Sequence, residues 1–434
     1  MLRMAQSNAQ NSPSGAAPQS SSLLKALLPI FLIVLVDILG LTIVIPLLPF
    51  YAQKYGASPF MVGLLTTTFA FCQLIFGPIL GSPSDRYARK PILLLSQIGT
   101  LIGFIILGLA ETLPLIFLSR VIDGATAGNL SIAQAYISDV TAPKDRAKSF
   151  AVIGIAFGLG FLVGPAVSGF LSQYGYHYPV FAAAGLSFLS ILATQFLLPK
   201  TEPKASTAEP GPGGKRLSIF NWHAYVPYFR RPELAILLQQ FFLFAFSFSL
   251  FTAGFALFAE RRFTWQGQPF GPREVGYVFA FTGLLGIFIQ GGMLSRLVKR
   301  WGEEKVTWVG FGSAALGYMT LAITQDIPML LVVSAITTFG HGILRPALTS
   351  QITRRSHADE QGTVLGLSQS LNSVATILAP LAGGILIEHG LLNVWAVATG
   401  LTCLGGYLLR WKAAAITRNL TEGDHGSPAH GSAS

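Results

Sequence analysis

Five ionisable side chains lie inside long apolar stretches of this chain, where a buried charge is costly. They are Asp37, Arg120, Asp123, His341 and Arg345. A carboxyl group or an imidazole in such surroundings can take up and release a proton near neutral pH. A guanidinium can bind an anion through two parallel hydrogen bonds. These residue types therefore predict proton transfer and anion binding in an apolar environment.

The spacing of these residues leaves alternatives open. Arg120 and Asp123 are three residues apart, so a helix stacks them on one face. They either take part in proton coupling or only neutralise one another and fix helix packing. Asp37 is either a proton carrier or a carboxylate permanently paired with an arginine of another helix. Arg345 has no acidic residue in its own apolar stretch, which favours a functional role for this residue.

The composition is that of a membrane protein. Hydrophobic residues make up 51% of the 434 positions, charged residues only 11%, and the mean hydropathy is +0.56. A stretch of about 20 apolar residues crosses a hydrocarbon core of roughly 30 Å as a helix. We therefore predict an all-α membrane protein with twelve transmembrane helices in a lipid bilayer. The predicted spans are residues 26–50, 59–81, 91–110, 113–138, 148–171, 178–198, 234–259, 273–296, 304–325, 327–352, 361–388 and 391–414.

Basic residues alternate between successive loops, and this alternation predicts the orientation. Loops after even-numbered spans hold most of the Lys and Arg, whereas the other loops hold only Lys54, Arg261, Arg262 and Arg273. The positive-inside rule places both termini in the cytoplasm, and we expect the cytoplasmic (inner) membrane of a bacterium. Because topology accounts for the net charge of +10, we expect no nucleic-acid partner.

The chain divides into two halves of six spans each. The longest polar interruption, residues 199–233, is rich in Pro, Gly and basic residues. An internal repeat supports the division, because Gly164-Pro165 and Ala379-Pro380 are equivalent and lie 215 residues apart. We predict two six-helix pseudo-symmetric halves at 23–198 and 234–414, joined by a cytoplasmic linker at 199–233. Disordered cytoplasmic tails are predicted at 1–22 and 415–434.

Aromatic and polar side chains of the spans are candidates to line a path between the halves. Phe244 and Phe248 belong to a ridge of phenylalanines at three- and four-residue spacing in the seventh span. Such a ridge suits a flat or amphipathic ligand, and helix packing or lipid contact is the alternative. The candidate substrate-binding residues are Gln73, Arg120, Gln134, Phe244, Phe248, Gln290 and Arg345. The candidate proton-coupling residues are Asp37, Arg120, Asp123 and His341.

A dense charge cluster, residues 81–93, joins the second and third spans. It resembles the loop pattern Gly-x-Leu-Ala-Asp-Arg-x-Gly-Arg-Lys of the major facilitator superfamily. The matching residues are Gly81, Asp85, Arg86, Arg89 and Lys90. The first span, with Asp37, Gly40, Pro46 and Pro49, resembles that of the drug/proton antiporter branch. Over residues 30–415 the chain is similar to tetracycline resistance efflux transporters of this family.

The resemblance implies roles for several residues. Asp85 and Arg89 correspond to loop charges that latch the two halves together on the cytoplasmic side, and Arg86 and Lys90 are placed with them among the gating residues. Gly164 and Pro165 resemble the antiporter signature of the fifth helix, and we place them with the gating residues. Arg120 is similar to the essential arginine of the fourth helix.

Two polar residues of some tetracycline exporters are missing here. A histidine of the eighth helix aligns near Gly286, and an aspartate of the ninth helix aligns near Ala314. The chain has His341 and Arg345 in the tenth span instead. These differences allow another proton path or an anionic substrate, and eukaryotic relatives of this branch are associated with organic anions.

The combined prediction is a monomeric transporter that exports a small amphipathic compound in exchange for protons by alternating access. The alternative is an organic-anion symporter or exchanger in which Arg120 and Arg345 clamp the anion. The chain has no His-Glu-x-x-His, no Gly-x-Ser-x-Gly and no cluster of acids, and Cys72 and Cys403 each lie within a span. We therefore expect no enzyme activity, no metal and no cofactor.

Overall fold

The protein is a bundle of long helices in a computed structural model that describes residues 20–86, 89–140, 146–198, 226–357 and 360–424. The first half contains α1 (Ser20–Lys54), α2 (Pro59–Arg86), α3 (Arg89–Gly108), α4 (Leu113–Thr126), α5 (Asn129–Val140), α6 (Arg146–Leu171) and α7 (His177–Leu197). After α8 (Val226–Phe229), the second half contains α9 (Pro232–Arg262), α10 (Pro272–Phe288), α11 (Leu294–Leu321), α12 (Ile327–Arg354), α13 (Gln361–Glu388) and α14 (Leu392–Asp424). A short hairpin, β1 (Thr264–Trp265) and β2 (Gln268–Pro269), links α9 to α10.

The hairpin is antiparallel, with Thr264 opposite Pro269 and Trp265 opposite Gln268. Its two turn residues, Gln266 and Gly267, have φ of 52° and 77°. Positive φ at both positions is the geometry that matches the twist of paired strands in a two-residue turn. The hairpin therefore marks one end of the bundle, which we call the hairpin end. The opposite end, which holds Ser20 and Asp424, is called the terminal end.

Ten helical segments in the described part of the chain are long and apolar enough to cross a membrane. One of them, Pro272–Leu321, has 50 residues and would measure about 75 Å as a single helix, far more than one crossing needs. It contains a five-residue π-helical segment, Ile289–Met293, and a break at Gly302, whose φ of 78° favours glycine. This segment therefore corresponds to the eighth and ninth predicted spans.

The fourth predicted span is not one continuous helix. It consists of α4 and α5, which are separated at Ala127 and Gly128. Each is shorter than the roughly 20 residues that a helix needs to cross alone. The predicted membrane fold of long helices is thus confirmed. The count of twelve spans stays a prediction, because the fourth span is divided into α4 and α5.

Some helix ends differ from the sequence-based boundaries. The first helix begins at Ser20 rather than near residue 26, inside the segment predicted as a disordered tail. The last helix continues to Asp424, ten residues beyond its predicted end at 414 and into the segment predicted as the second tail. Apolar periodicity marks the membrane-spanning part of a helix and gives no signal where the helix continues into polar sequence. Most of the tails and the linker lie outside the described residues.

Two helix pairs make most of the contact between the halves, α2 with α13 and α6 with α10. At the first interface, Thr67 Oγ1 donates to the carbonyl oxygen of Ile377 over 2.7 Å, and Phe60 N donates to Glu388 Oε2 over 2.9 Å. At the second, a Cβ added to Gly283 would lie 2.5 Å from the carbonyl oxygen of Phe161. Glycines thus allow the backbones of the two halves to approach closely. All these contacts lie between the hairpin end and the middle of the bundle.

The apolar core follows the same division. One cluster of buried residues runs through both halves and includes Leu47 of α1 and Leu250 of α9; in the second half it continues to Leu234 and Ile352 at the terminal end. Toward the terminal end each half has its own cluster, with Ile33 in the first half and Ile343 in the second. The halves are therefore packed together at the hairpin end and separate toward the terminal end.

We expect Gly63→Val to weaken closure at the hairpin end. A Cβ at Gly63 would lie 2.9 Å from the carbonyl carbon of Pro380, and this backbone has little room to move. Overpacking costs about 1–3 kcal/mol, so the ratio of closed to separated molecules should fall roughly tenfold. Spin labels at Glu111→Cys and Gln268→Cys, in a variant without the native cysteines, report the distance between the halves.

The matched control is Gly185→Val in α7, where an added Cβ has no neighbour within 4 Å. Both substitutions replace a helical glycine by the same β-branched residue, so a general effect on helix stability cancels in the comparison. A distance distribution that is the same for both variants would contradict the role given to Gly63.

Candidate functional site

A gap between the halves has α4 and α5 on one side and α12 on the other. Helices α4 and α12 carry four of the five predicted ionisable residues. The elements α4 and α5 pack on α1, α2, α3 and α6, all in the first half. Helix α12 packs on α9, α10, α11 and α13, all in the second half. Neither side packs on the other, although their neighbours meet across the interface. Arg120 and Asp123 therefore belong to a helix on one side of the gap, with their side chains buried within the first half, and His341 and Arg345 belong to the helix on the other side.

Asp37 lies in a small polar cluster within α1, α3 and α7. Ser190 Oγ donates to Asp37 Oδ1 over 2.8 Å, and Gln97 Nε2 donates to Ser190 Oγ over 2.8 Å. Ser190 and Gln97 are fully buried. The hydroxyl donor to Asp37 is uncharged, so this carboxyl group can be held by hydrogen bonds in its charged and in its protonated form. Ser190 Oγ also lies 3.5 Å from the carbonyl oxygen of Ile33, an alternative acceptor when Asp37 carries the proton.

The break between α4 and α5 contributes to the same cluster. Asn129 is the first residue of α5, and its amide faces the carboxyl group of Asp37. Free backbone groups at the break are satisfied by side chains: Gly128 N donates to Ser96 Oγ over 3.0 Å, and the Ser96 hydroxyl donates to Thr126 O. Interrupted helices are stable in a membrane only where such partners exist, and they commonly border binding sites. The positive end of the α5 dipole thus points toward this cluster.

Arg120 and Asp123 form an ion pair within α4. Arg120 Nη1 lies 3.3 Å from Asp123 Oδ2, and the two side chains are only 4% and 6% exposed. The predicted stacking on one helix face is confirmed. Because its charge is matched inside its own helix, Arg120 is less suited to clamp a substrate anion than the sequence suggested.

We expect Ser190→Ala to move the protonation of Asp37 to higher pH by roughly one unit. A hydrogen bond to a charged group is worth about 1.5–3 kcal/mol, and Ser190 stabilises the carboxylate. The carboxyl band of Asp37, identified by its loss in Asp37→Asn, can be titrated by infrared spectroscopy. Ser187→Ala is the control, because Ser187 is buried in the same helix and its hydroxyl has no partner among the described residues. Equal midpoints in the two variants would exclude this role for Ser190.

His341 lies near the middle of α12 among aromatic rings. The centroid of its ring is 5.3 Å from Phe244, 5.5 Å from Phe248 and 5.4 Å from Tyr318. It is 9% exposed, and within the described residues neither ring nitrogen has a hydrogen-bond partner. The two phenylalanines stack on each other with centroids 6.3 Å apart and an interplanar angle of 15°. The predicted ridge of α9 and the predicted histidine of α12 are therefore one cluster.

The remaining polar candidates have different surroundings. Arg345 follows His341 by one turn, is exposed, and has no carboxylate partner in the part of the chain that the structure describes. Gln73 Nε2 lies 3.4 Å from the carbonyl oxygen of Ala127, at the break in the fourth span. Gln290 is exposed in the π-helical segment, and Gln134 is exposed on α5. Gln73 and Gln134 thus belong to the first half, and Gln290 and Arg345 belong to the second half.

The predicted latch residues are only partly described. The side chains of Asp85 and Arg86 lie outside the described residues, and Arg89 begins α3. Lys90 Nζ donates to the carbonyl oxygens of Gln195 and Leu198, over 2.6 and 2.9 Å, at the end of α7. A cation at the negative end of a helix stabilises that end. Lys90 thus contacts its own half, and its gating role stays a prediction.

Gly164 and Pro165 lie at helix contacts of α6. A Cβ at Gly164 would lie 2.8 Å from the Cβ of Thr42 in α1, so only glycine fits without a shift. The carbonyl oxygen of Pro165 would lie 2.5 Å from a Cβ at Gly276 of α10, across the interface. Pro165 therefore lies where the two halves meet, whereas Gly164 packs within the first half, and their gating role stays a prediction.

Ion pairs hold the terminal end of the second half together. Arg231, just before α9, makes two hydrogen bonds to Glu360, just before α13, over 2.6 and 2.9 Å. The hydrogen bonds from Arg231 hold the pKa of the Glu360 carboxyl below its usual value. Arg354 of α12 lies 3.4 Å from Glu303 of α11. These pairs tie four helices of one half to each other while the halves themselves are apart.

Gly286 and Ala314 lie where some tetracycline exporters have polar residues, and the packing around these two positions differs. Gly286 has space around it, with no heavy atom within 4 Å of an added Cβ. Ala314 is fully buried, and its backbone N would lie 2.7 Å from a Cβ at Gly340 of α12. An aspartate at position 314 would thus enter a tight contact between α11 and α12.

Comparisons with known proteins agree with this architecture. The sequence profile of the Major Facilitator Superfamily matches residues 30–380 and 320–426. The class B tetracycline resistance protein of Escherichia coli is 28% identical over 383 residues, which cover 86% of this chain and 92% of that protein. Multidrug resistance protein 2 of Bacillus subtilis (strain 168) is 25% identical over 389 residues, covering 88% and 95%.

Solved structures share the fold at lower identity. The human organic anion transporter MFSD10 (TETRAN) has a TM-score of 0.67 and 22% identity, covering 89% of this chain and 99% of that chain. The nucleoside transporter NupG has a TM-score of 0.70 and 14% identity, covering 88% and 98%. The chain therefore has the architecture of these membrane transporters.

Proposed function

The chain belongs to the major facilitator superfamily, and we propose that it exports a small amphipathic compound in exchange for protons by alternating access. It is an integral membrane protein whose curated relatives include tetracycline and multidrug resistance proteins. One observation carries the proton part of the proposal. Asp37 lies within a membrane span and, in the described part of the chain, accepts a hydrogen bond from the neutral hydroxyl of Ser190 rather than pairing with an arginine.

The choice of Asp37 over Asp123 as proton carrier rests on their partners. Asp123 is paired with Arg120, and protonation would leave a buried guanidinium without its counter-ion, at a cost of about 3–5 kcal/mol. Asp37 loses no ion pair when it accepts a proton. Asp123 and Arg120 therefore act as a fixed ion pair within α4.

The unequal packing of the two ends supports the proposal of alternating access. The halves meet at the hairpin end and are apart at the terminal end. The alternation of basic loops assigns the terminal end to the cytoplasm of a bacterial cell. In this conformation the gap is then open to the cytoplasm, from which an exporter takes its substrate. Rocking of the halves about the α2–α13 and α6–α10 interfaces would open the hairpin end and let protons reach Asp37 from outside.

A second candidate function, exchange or symport of an organic anion, is favoured by Arg345. This guanidinium is not matched by a carboxylate among the described residues and lies in the wall of the gap. Arg120, the other half of the predicted clamp, is already paired with Asp123. The anion-binding role thus falls to Arg345 alone. Both candidate functions use the same gap and differ in the charge of the substrate.

Reconstitution into proteoliposomes tests the proposed function. A panel of cationic, neutral and anionic aromatic compounds is offered on the side of the terminal end while a pH gradient is imposed. We expect uphill movement of at least one compound toward the acidic side, which stops when nigericin with potassium removes the pH gradient. Movement that is indifferent to the gradient for every transported compound would overturn proton exchange.

We expect Asp85→Asn and Arg89→Ala to slow the exchange between conformations more than they weaken substrate binding. Asp85, near the end of α2, and Arg89, at the start of α3, lie at the terminal end, far from the middle of the membrane where substrate is proposed to bind. Turnover and equilibrium binding are compared in the two variants. Arg296→Ala, near the start of α11 in the second half, serves as a charge control. Losses of equal size in binding and turnover would assign the loop another role.

A further inference from the structure

We propose that His341, Phe248 and Arg345 form the binding subsite for an aromatic acid, a planar ring that carries a carboxylate or a phenolate. This proposal rests on the proposed function, because it specifies the chemistry of the exported compound. It adds a ligand-binding role for the imidazole of His341 to the proton-coupling role that the sequence suggested.

The first argument is the hydrogen-bonding state of His341. A buried polar group without a partner costs about 1–3 kcal/mol, and both ring nitrogens of His341 are in this situation among the described residues. A phenylalanine at this position would fill the same aromatic surroundings without that cost. An imidazole kept near the middle of α12 is therefore best explained by a ligand group that bonds to its nitrogens.

The second argument is the shape and polarity of the surroundings. Phe244 is buried behind the imidazole, whereas Phe248 is 39% exposed and offers part of its ring. Aromatic rings pack favourably in offset or edge-to-face arrangements with centroids 4.5–7 Å apart. All three rings around His341 already have such distances to it. A planar ligand ring can extend this stack on the open side of Phe248.

The third argument is charge. Arg345 lies four residues after His341, so both side chains belong to the same face of α12. Its guanidinium has no carboxylate partner in the described part of the second half. A guanidinium binds a carboxylate through two parallel hydrogen bonds, and an imidazole one turn away can donate a third. The acidic group of the ligand is thus expected between His341 and Arg345, with its ring toward Phe248.

Three probes separate the contributions of ring and charge: 2-naphthoate, the uncharged 2-naphthalenemethanol, and cyclohexanecarboxylate. Binding to the purified full-length protein is measured by calorimetry, without any pH gradient. We expect 2-naphthoate to bind roughly tenfold or more tightly than either of the other two. Absence of 2-naphthoate binding, or equal affinity for all three probes, would overturn the proposal.

Variants of the subsite complete the test. His341→Phe keeps an aromatic ring and should fold at least as well as the wild type, yet we expect it to lose roughly tenfold in 2-naphthoate affinity. Phe248→Leu should weaken binding, whereas Phe246→Leu should not, because Phe246 packs on Phe242 and not on His341. Unchanged affinity in His341→Phe would assign His341 to packing and overturn the subsite.

The outcome is independent of the transport assay. Binding of 2-naphthoate that depends on His341, without any proton-driven flux, would support the subsite and contradict the proposed function. Proton-driven export of other compounds, with 2-naphthoate affinity unaffected by the variants, would support the function and overturn the subsite.

Discussion

Asp37→Asn abolishes proton-driven transport and leaves the fold and the substrate affinity close to those of the wild type. The amide keeps the shape of the side chain and can still accept the hydrogen bond from Ser190, which is 2.8 Å long in the wild type. It cannot take up a proton, so the coupled cycle has no carrier for the proton. We expect pH-gradient-driven flux in proteoliposomes to fall at least about a hundredfold, a typical contribution of a proton-transfer group.

A matched substitution separates this effect from the loss of any acidic residue. Asp326 lies at the start of α12, and its Oδ1 accepts a hydrogen bond from Met329 N over 2.8 Å. Asparagine caps a helix nearly as well as aspartate, so Asp326→Asn should transport normally. Wild-type rates in Asp37→Asn would remove this residue from proton coupling and favour a structural role in the cluster with Ser190.

Both Arg345→Ala and Arg345→Lys strongly impair the binding and transport of an acidic substrate. The ammonium group of lysine is a point charge and cannot reproduce the planar pair of donors that a guanidinium offers a carboxylate. We expect losses of roughly tenfold or more in affinity for both variants, since hydrogen bonds to charged groups are worth about 1.5–3 kcal/mol. Calorimetry with 2-naphthoate and flux measurements between roughly pH 5 and 8, where an unperturbed histidine changes charge, give the two quantities.

Arg354→Ala is the control for Arg345. It lies in the same helix, is 74% exposed and pairs with Glu303 at the terminal end, so its removal should have little effect on binding.

Normal function of Arg345→Lys together with a shifted pH profile in Arg345→Ala would point to a neutral or cationic substrate. In that case the guanidinium acts on the protonation of Asp37 or His341 through its charge. Unchanged binding and pH profile in Arg345→Ala would leave only a packing role.

The membrane fold could be predicted from the sequence because its signals are local. Apolar stretches of the length of a bilayer predict spanning helices, and the three-residue spacing of Arg120 and Asp123 predicts their pairing. The break between α4 and α5 has only a weak signal, a single glycine at position 128. Its stability depends on Ser96 and Gln73, which belong to other helices. No local pattern in the fourth span contains that information.

The hydrogen-bond partners of the candidate site residues could not be selected from local sequence patterns, because these partners lie far away along the chain. Ser190 bonds to Asp37 across 153 positions of the chain, and Gln97 bonds to Ser190 across 93. Serine and glutamine inside a span are common, so their residue type gave no reason to select them. The ridge with Phe244 was predicted from its helical spacing, whereas its contact with His341 depends on how α9 and α12 pack. Polar residues within apolar spans near a predicted ionisable group are the signal that could have suggested Ser190 and Gln97.

Proton movement driven by a substrate gradient tests exchange most directly. Proteoliposomes are loaded with a transported compound and a pH-sensitive dye, with equal pH on both sides and the membrane potential clamped by valinomycin and potassium. In an exchanger, substrate leaving the vesicle brings protons in, so we predict internal acidification with wild-type protein and none with Asp37→Asn. Substrate efflux without a pH change, or with internal alkalinisation, would contradict exchange of substrate for protons.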